Sequence, residues 1–85
     1  MDFIPLKNLS PTQVINMLLN LNLSQLVDPF QIEIVRGELL VNIECYEDVM
    51  DIHSGIAREP AVALFNYLTE LNGRVPNTVL VSTVL

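Results

Sequence analysis

Eighty-five residues, 51% of them apolar and 16% charged, make one domain spanning 1–85 and leave no room for a second core. Lys7, Arg36, Arg58 and Arg74 stand scattered against ten acidic residues, for a net charge of −6. Nucleic acid and anionic membrane surfaces both select clustered Lys and Arg, so neither is an expected partner.

A chain this short hides only about 60–65% of the surface that its unfolded form exposes. With half its residues apolar, some Leu, Val and Ile side chains are expected in an interface, with a second copy or with another protein. One cysteine, Cys45, excludes an internal disulfide and a cysteine-based metal site. No basic and apolar leader pattern opens the chain and no apolar run approaches 18 residues, so a cytoplasmic location is expected.

Residues 1–9, MDFIPLKNL, read as an apolar entry strand or arm in which Pro5 breaks any helix. Ser10-Pro11-Thr12-Gln13 follows as a capping box with proline at the first helical position, and Leu9 and Val14 are placed to close a hydrophobic staple. A helix to about Asn20 is predicted, with Val14, Met17, Leu18 and Leu21 as its buried stripe. Residues 21–30 extend it or form a second short helix, which Asp28-Pro29 is expected to end.

The stretch QIEIVRGELLVNIEC, residues 31–45, admits two readings. Ile32 and Ile34 alternate with Glu33, and Val41, Ile43 and Cys45 alternate with Asn42 and Glu44, the period of half-buried strands. Gly37 would then supply the positive φ of a hairpin turn at Arg36-Gly37. Residues 49–53 would add a third strand. A second helix near 57–72 takes Pro60 in its first turn, uses Ala61, Leu64, Phe65, Leu68 and Leu71 as its apolar face and ends at Gly73. Residues 77–85, NTVLVSTVL, have strand chemistry throughout. The fold class expected on this reading is α+β: helix, three-stranded antiparallel meander, helix, strand.

That element order, with the phrases LLNLNLSQL, QIEIVRGELLVNIE and ALFNYLTELNGRVPNTVLV, resembles the type III secretion chaperone and YbjN-like fold. The resemblance implies a small acidic homodimer that holds an extended segment of a client protein without catalysis. The chain departs from that pattern by ending after one strand beyond the second helix. The alternative is an all-α five-helix bundle. The spacing of Val14, Met17, Leu18, Leu21, Leu23, Leu26, Phe30, Gly37, Leu40, Ile43, Asp48, Val49 and Ile52 resembles a SAM domain, with Leu64, Leu68 and Leu71 on its long last helix. One extra residue between Gly37 and Asp48 and the absence of tryptophan depart from that pattern, and it leaves Val79 to Val81 without a packing role. SAM domains bind one another, and a few bind RNA hairpins.

Candidate chemistry is sparse. His53 is the single histidine, and a catalytic Cys45–His53 pair competes with the plainer reading of Cys45 as packing. On a strand, Glu47, Asp51 and His53 would share one face and could hold a divalent cation, but a solvated face explains them more simply. No cofactor and no enzymatic activity are expected. Partner-binding candidates are Tyr46 and Tyr67 as aromatic anchors, Val79 and Val81 on a sheet edge open to strand addition, and the acidic run Glu44, Glu47, Asp48 and Asp51 facing a basic segment. Ser82-Thr83-Val84-Leu85 has the form of a ligand for PDZ domains.

Overall fold

A computed structural model of the chain describes residues 2–73 and 78–81. Its helices are α1 (Pro11–Asn20), α2 (Val27–Ile32), α3 (Gly37–Leu40), α4 (Tyr46–Met50) and α5 (Arg58–Asn72). Its strands are β1 (Asp2–Pro5) and β2 (Thr78–Val81), an antiparallel pair in which Phe3 faces Leu80 and Ile4 faces Val79. Short 3-10 turns at Leu6–Asn8 and Ser24–Leu26 lead into α1 and α2.

The first and last helices form where local signals demand them. The capping box at α1 is complete: the Gln13 amide donates to Ser10 Oγ at 3.2 Å, and the Ser10 amide donates to Gln13 Oε1 at 2.9 Å. Two N–H groups that the helix leaves unpaired are thereby satisfied. Val14, Met17 and Leu18 are buried, and Leu21 is half-buried. In α5, Ala61, Leu64, Leu68 and Leu71 are buried and Phe65 is half-buried.

The α+β expectation is overturned. Residues 31–54 contain no strand: the supposed hairpin is the end of α2, a short loop and α3, and the supposed third strand falls on α4 and the turn after it. The physical reason lies in which residues enter the core. Burial follows Leu26, Phe30, Val35, Leu40 and Val49, a helical and loop spacing, whereas Ile32, Ile34 and Val41 are exposed and Ile43 is half-buried. The alternation was produced by side chains that face outward. The all-α alternative fits in part, since five helices are joined by a two-stranded ribbon.

Two details of the middle segment also differ from expectation. Pro29 does not end a helix; it occupies the first turn of α2, where its missing N–H removes no hydrogen bond. Gly37 is not a turn glycine with positive φ but the first residue of α3. A Cβ there would stand 1.8 Å from the carbonyl oxygen of Leu6, and the Gly37 amide donates to the Leu9 carbonyl at 2.9 Å. Absence of a side chain lets α3 lie directly on the turn that precedes α1.

Residues 78–81 form a strand inside the expected 77–85 segment, paired with the entry arm, and Val79 is buried at 3% exposure. β2 packs on α1, so the ribbon helps close the core. Residues 82–85, and with them the PDZ-ligand reading, lie outside the described residues. Among the described residues the core contains no buried polar or charged side chain.

Candidate functional site

Both α1 and α2 end in the same backbone device. After α1, the Leu23 amide donates to the Leu18 carbonyl at 2.9 Å and the Asn22 amide to Leu19 at 3.1 Å. After α2, the Val35 amide donates to the Phe30 carbonyl at 3.1 Å and the Ile34 amide to Gln31 at 3.3 Å. These paired bonds are the Schellman motif, and in each case the hydrophobic pair that accompanies it, Leu18 with Leu23 and Phe30 with Val35, is buried. The motif places its hinge residue in the left-handed region: Asn22 has φ 60° and Ile34 has φ 52°. Asparagine tolerates that conformation, but a β-branched isoleucine is strained there.

Ile34 is also 63% exposed, and its neighbour Ile32 is 64% exposed. Six large hydrophobic side chains stand exposed among the described residues, and four of them, Ile32, Ile34, Leu39 and Val41, fall within ten consecutive positions. Isolated exposed aliphatics are ordinary on a small protein, and four of the six within one stretch of ten residues are a concentration beyond that. A shallow groove of about 190 Å³ adjoins it, lined by Pro11, Thr12, Ile15, Phe30, Gln31 and Ile34.

A side-chain contact ties this region to the residues after α4. His53 Nδ1 lies 2.8 Å from Glu33 Oε2, both side chains being partly exposed. Glu33 sits between the two exposed isoleucines and His53 follows α4, so the contact brings the end of α2 beside the end of α4. This settles where His53 is: its close partner is a carboxylate from α2. Cys45 is the half-buried N-cap residue of α4. Glu47, Asp51 and His53 no longer share a strand face, and no three His, Cys, Asp or Glu side chains among the described residues gather to hold a metal.

The remaining predicted site residues are scattered around this centre. Glu44, Glu47 and Asp51 are exposed and Asp48 is half-buried. Asp48 has a local task, its Oδ2 accepting from the Glu44 amide at 2.9 Å at the start of α4. Glu47 and Asp48 lie in the first turn of that helix, where negative charge is favoured. Tyr46 carries the Arg58 guanidinium 5.3 Å above its ring centroid and so ties α4 to the start of α5. Tyr67, expected to be exposed or in an interface, is half-buried and packs against the core. Val79 is a core residue, and Val81 stands opposite Asp2 in the ribbon.

Reading the sequence assigned Ile32, Ile34 and Val41 to the buried face of a hairpin and so missed them as surface. The signal that could have found them is their surplus. None of the three belongs to the buried core cluster, and no helical stripe includes them. No helix among the described residues is long and apolar enough to cross a membrane. Comparison with protein-family models, curated proteins and solved structures finds no match for the chain.

Proposed function

We propose that the chain is a non-enzymatic protein-interaction domain that holds a segment of a partner protein on the face formed by Ile32, Ile34, Leu39 and Val41. The observation that carries the reading is the exposure of these four aliphatic side chains in one short stretch, one of them held in a strained backbone conformation. Strain of this kind survives where it serves a surface, because asparagine or glycine would relieve it. An adaptor or assembly role fits such a face.

Of the two resemblances in the sequence, the SAM-like one accords better with the helical order. Most of the positions that carried it, among them Val14, Leu18, Leu26, Phe30, Gly37, Leu40, Val49 and Leu64, are buried. The ribbon supplies the packing role for Val79 that the five-helix pattern lacked. The chaperone-like resemblance rested on strands at 31–53 that are not formed.

A photo-crosslinking side chain at position 39 tests the proposal, with position 19 as control, since Leu19 is 53% exposed on α1, outside the 32–41 stretch. In extracts of the native cell, a discrete adduct is expected from position 39 and not from position 19. Equal labelling from both positions, or none from either, would count against a docking face here.

A further inference from the structure

The charge of this protein is not spread evenly. Of the ten acidic residues, seven lie between Asp28 and Asp51, where Arg36 is the one base. The three acidic residues elsewhere, Asp2, Glu59 and Glu70, are balanced in number by Lys7, Arg58 and Arg74. The stretch from Asp28 to Asp51 therefore carries the whole net charge of −6, and the rest of the chain is neutral. All seven acidic side chains but Asp48 are exposed, and Asp48 is half-buried. The same stretch holds the four exposed aliphatics, with Glu33 between Ile32 and Ile34 and Glu38 beside Leu39.

Resting on the docking face proposed above, we infer that its occupant is a basic amphipathic segment of a different protein. The apolar side chains of that segment lie on Ile32, Ile34, Leu39 and Val41, and its lysines or arginines meet the carboxylates around them. Charge selects this occupant over a second copy of the chain. Two copies meeting through the same face would bring two stretches of charge −6 together, which repels. A head-to-tail contact would offer that stretch a neutral surface on which Arg58 is already engaged over Tyr46 and flanked by Glu59. A basic partner gains from both halves of the face: apolar contact holds it, and the field of the acidic stretch attracts and orients it.

The test uses the full chain and two labelled synthetic helices of about eighteen residues, each with leucine on one face and either lysine or glutamate on the other. Fluorescence anisotropy reads their affinity for the wild type, for Ile32→Ser/Ile34→Ser and for Glu38→Gln/Glu47→Gln/Asp51→Asn. Circular dichroism confirms that the exposed substitutions leave the fold intact. The lysine helix is expected to bind the wild type and to weaken as salt is raised through the range where the screening length falls below about 5 Å. Both variants are expected to bind it at least roughly tenfold more weakly, each exposed charge pair counting for a few-fold.

Equal binding of the lysine and glutamate helices, lost in the isoleucine variant, would overturn the charge inference while leaving the docking face standing. A wild-type dimer in sedimentation equilibrium that the isoleucine variant dissociates would overturn it in favour of a second copy. Binding of the lysine helix unchanged in both variants, or absent altogether from a monomeric wild type, would overturn the inference and the docking face together.

Discussion

Replacing Ile34 by asparagine should stabilise the protein relative to alanine at the same position, although asparagine is the more polar residue. The backbone at 34 is held at φ 52° by the two hydrogen bonds that end α2, so the side chain has no choice of region. An L-residue with an ordinary Cβ loses about 1–2 kcal/mol there, and asparagine recovers most of it. Against that stands the apolar burial lost. Full burial of isoleucine contributes about 1.5–3 kcal/mol, and Ile34 is 63% exposed, so roughly a third of that, about 0.5–1 kcal/mol, is forfeited. Alanine forfeits the same burial and keeps the Cβ clash, shedding only the part of the strain that β-branching adds. Ile34→Asn should thus match or exceed the wild type, and Ile34→Ala should fall below it. The gap between the variants should be about 1 kcal/mol, which is about 4–8 °C in Tm for a domain of this size. Urea denaturation followed by far-ultraviolet circular dichroism measures it directly. The converse at the other hinge, Asn22→Ala at φ 60°, should destabilise by about 1 kcal/mol. Asparagine and alanine of equal stability at position 34 would refute the claim that this backbone is held in the left-handed region, and an asparagine variant well below the wild type would refute the strain of the isoleucine.

Other expectations follow from single contacts. Gly37→Ala should lower stability by about 3 kcal/mol or more, because the new Cβ collides with the backbone oxygen of Leu6 rather than with a side chain that could turn away; thermal unfolding, or failure to fold at all, reads this out, and a neutral result would mean that α3 does not rest on that turn. Ser10→Ala should lower stability by about 1 kcal/mol through loss of the α1 cap, with the far-ultraviolet spectrum unchanged before the transition. A double-mutant cycle on Tyr46→Leu and Arg58→Met should return a coupling of about 0.5–1 kcal/mol, as a cation near an aromatic face at a surface site gives; zero coupling would dissolve the link drawn between α4 and α5.

The parts of this fold that were legible are those whose determinants are local. Ser10, Pro11 and Gln13 announce α1 within four positions, and the apolar spacing from Ala61 to Leu71 announces α5. Between them, period and burial part company. Ile32, Ile34 and Val41 place apolar side chains at alternate positions outside the core, and the alternation then imitates a strand. The helix ends that interrupt it are equally hidden, because isoleucine gives no warning of a left-handed hinge where glycine or asparagine would. Gly37 was visible as a special residue, but its reason, a carbonyl oxygen thirty-one positions earlier at Leu6, is a tertiary fact. The acidic run Glu44, Glu47, Asp48 and Asp51 is legible in the sequence as a partner surface, with plain solvation as its equal rival. The aliphatic half of the candidate face is not, because its alternation points to a core in which Phe30, Val35 and Leu40 are buried instead.

The most direct test of the account is a map of amide chemical shifts on the ¹⁵N-labelled full chain as the leucine and lysine helix is titrated in. Shifts concentrated at Ile32–Val41, extending to Glu44–Asp51 and sparing the ribbon and the far end of α5, are the predicted result. Shifts concentrated on β1, β2 or the C-terminal half of α5 instead would contradict it, placing whatever binding surface the protein has away from its exposed isoleucines.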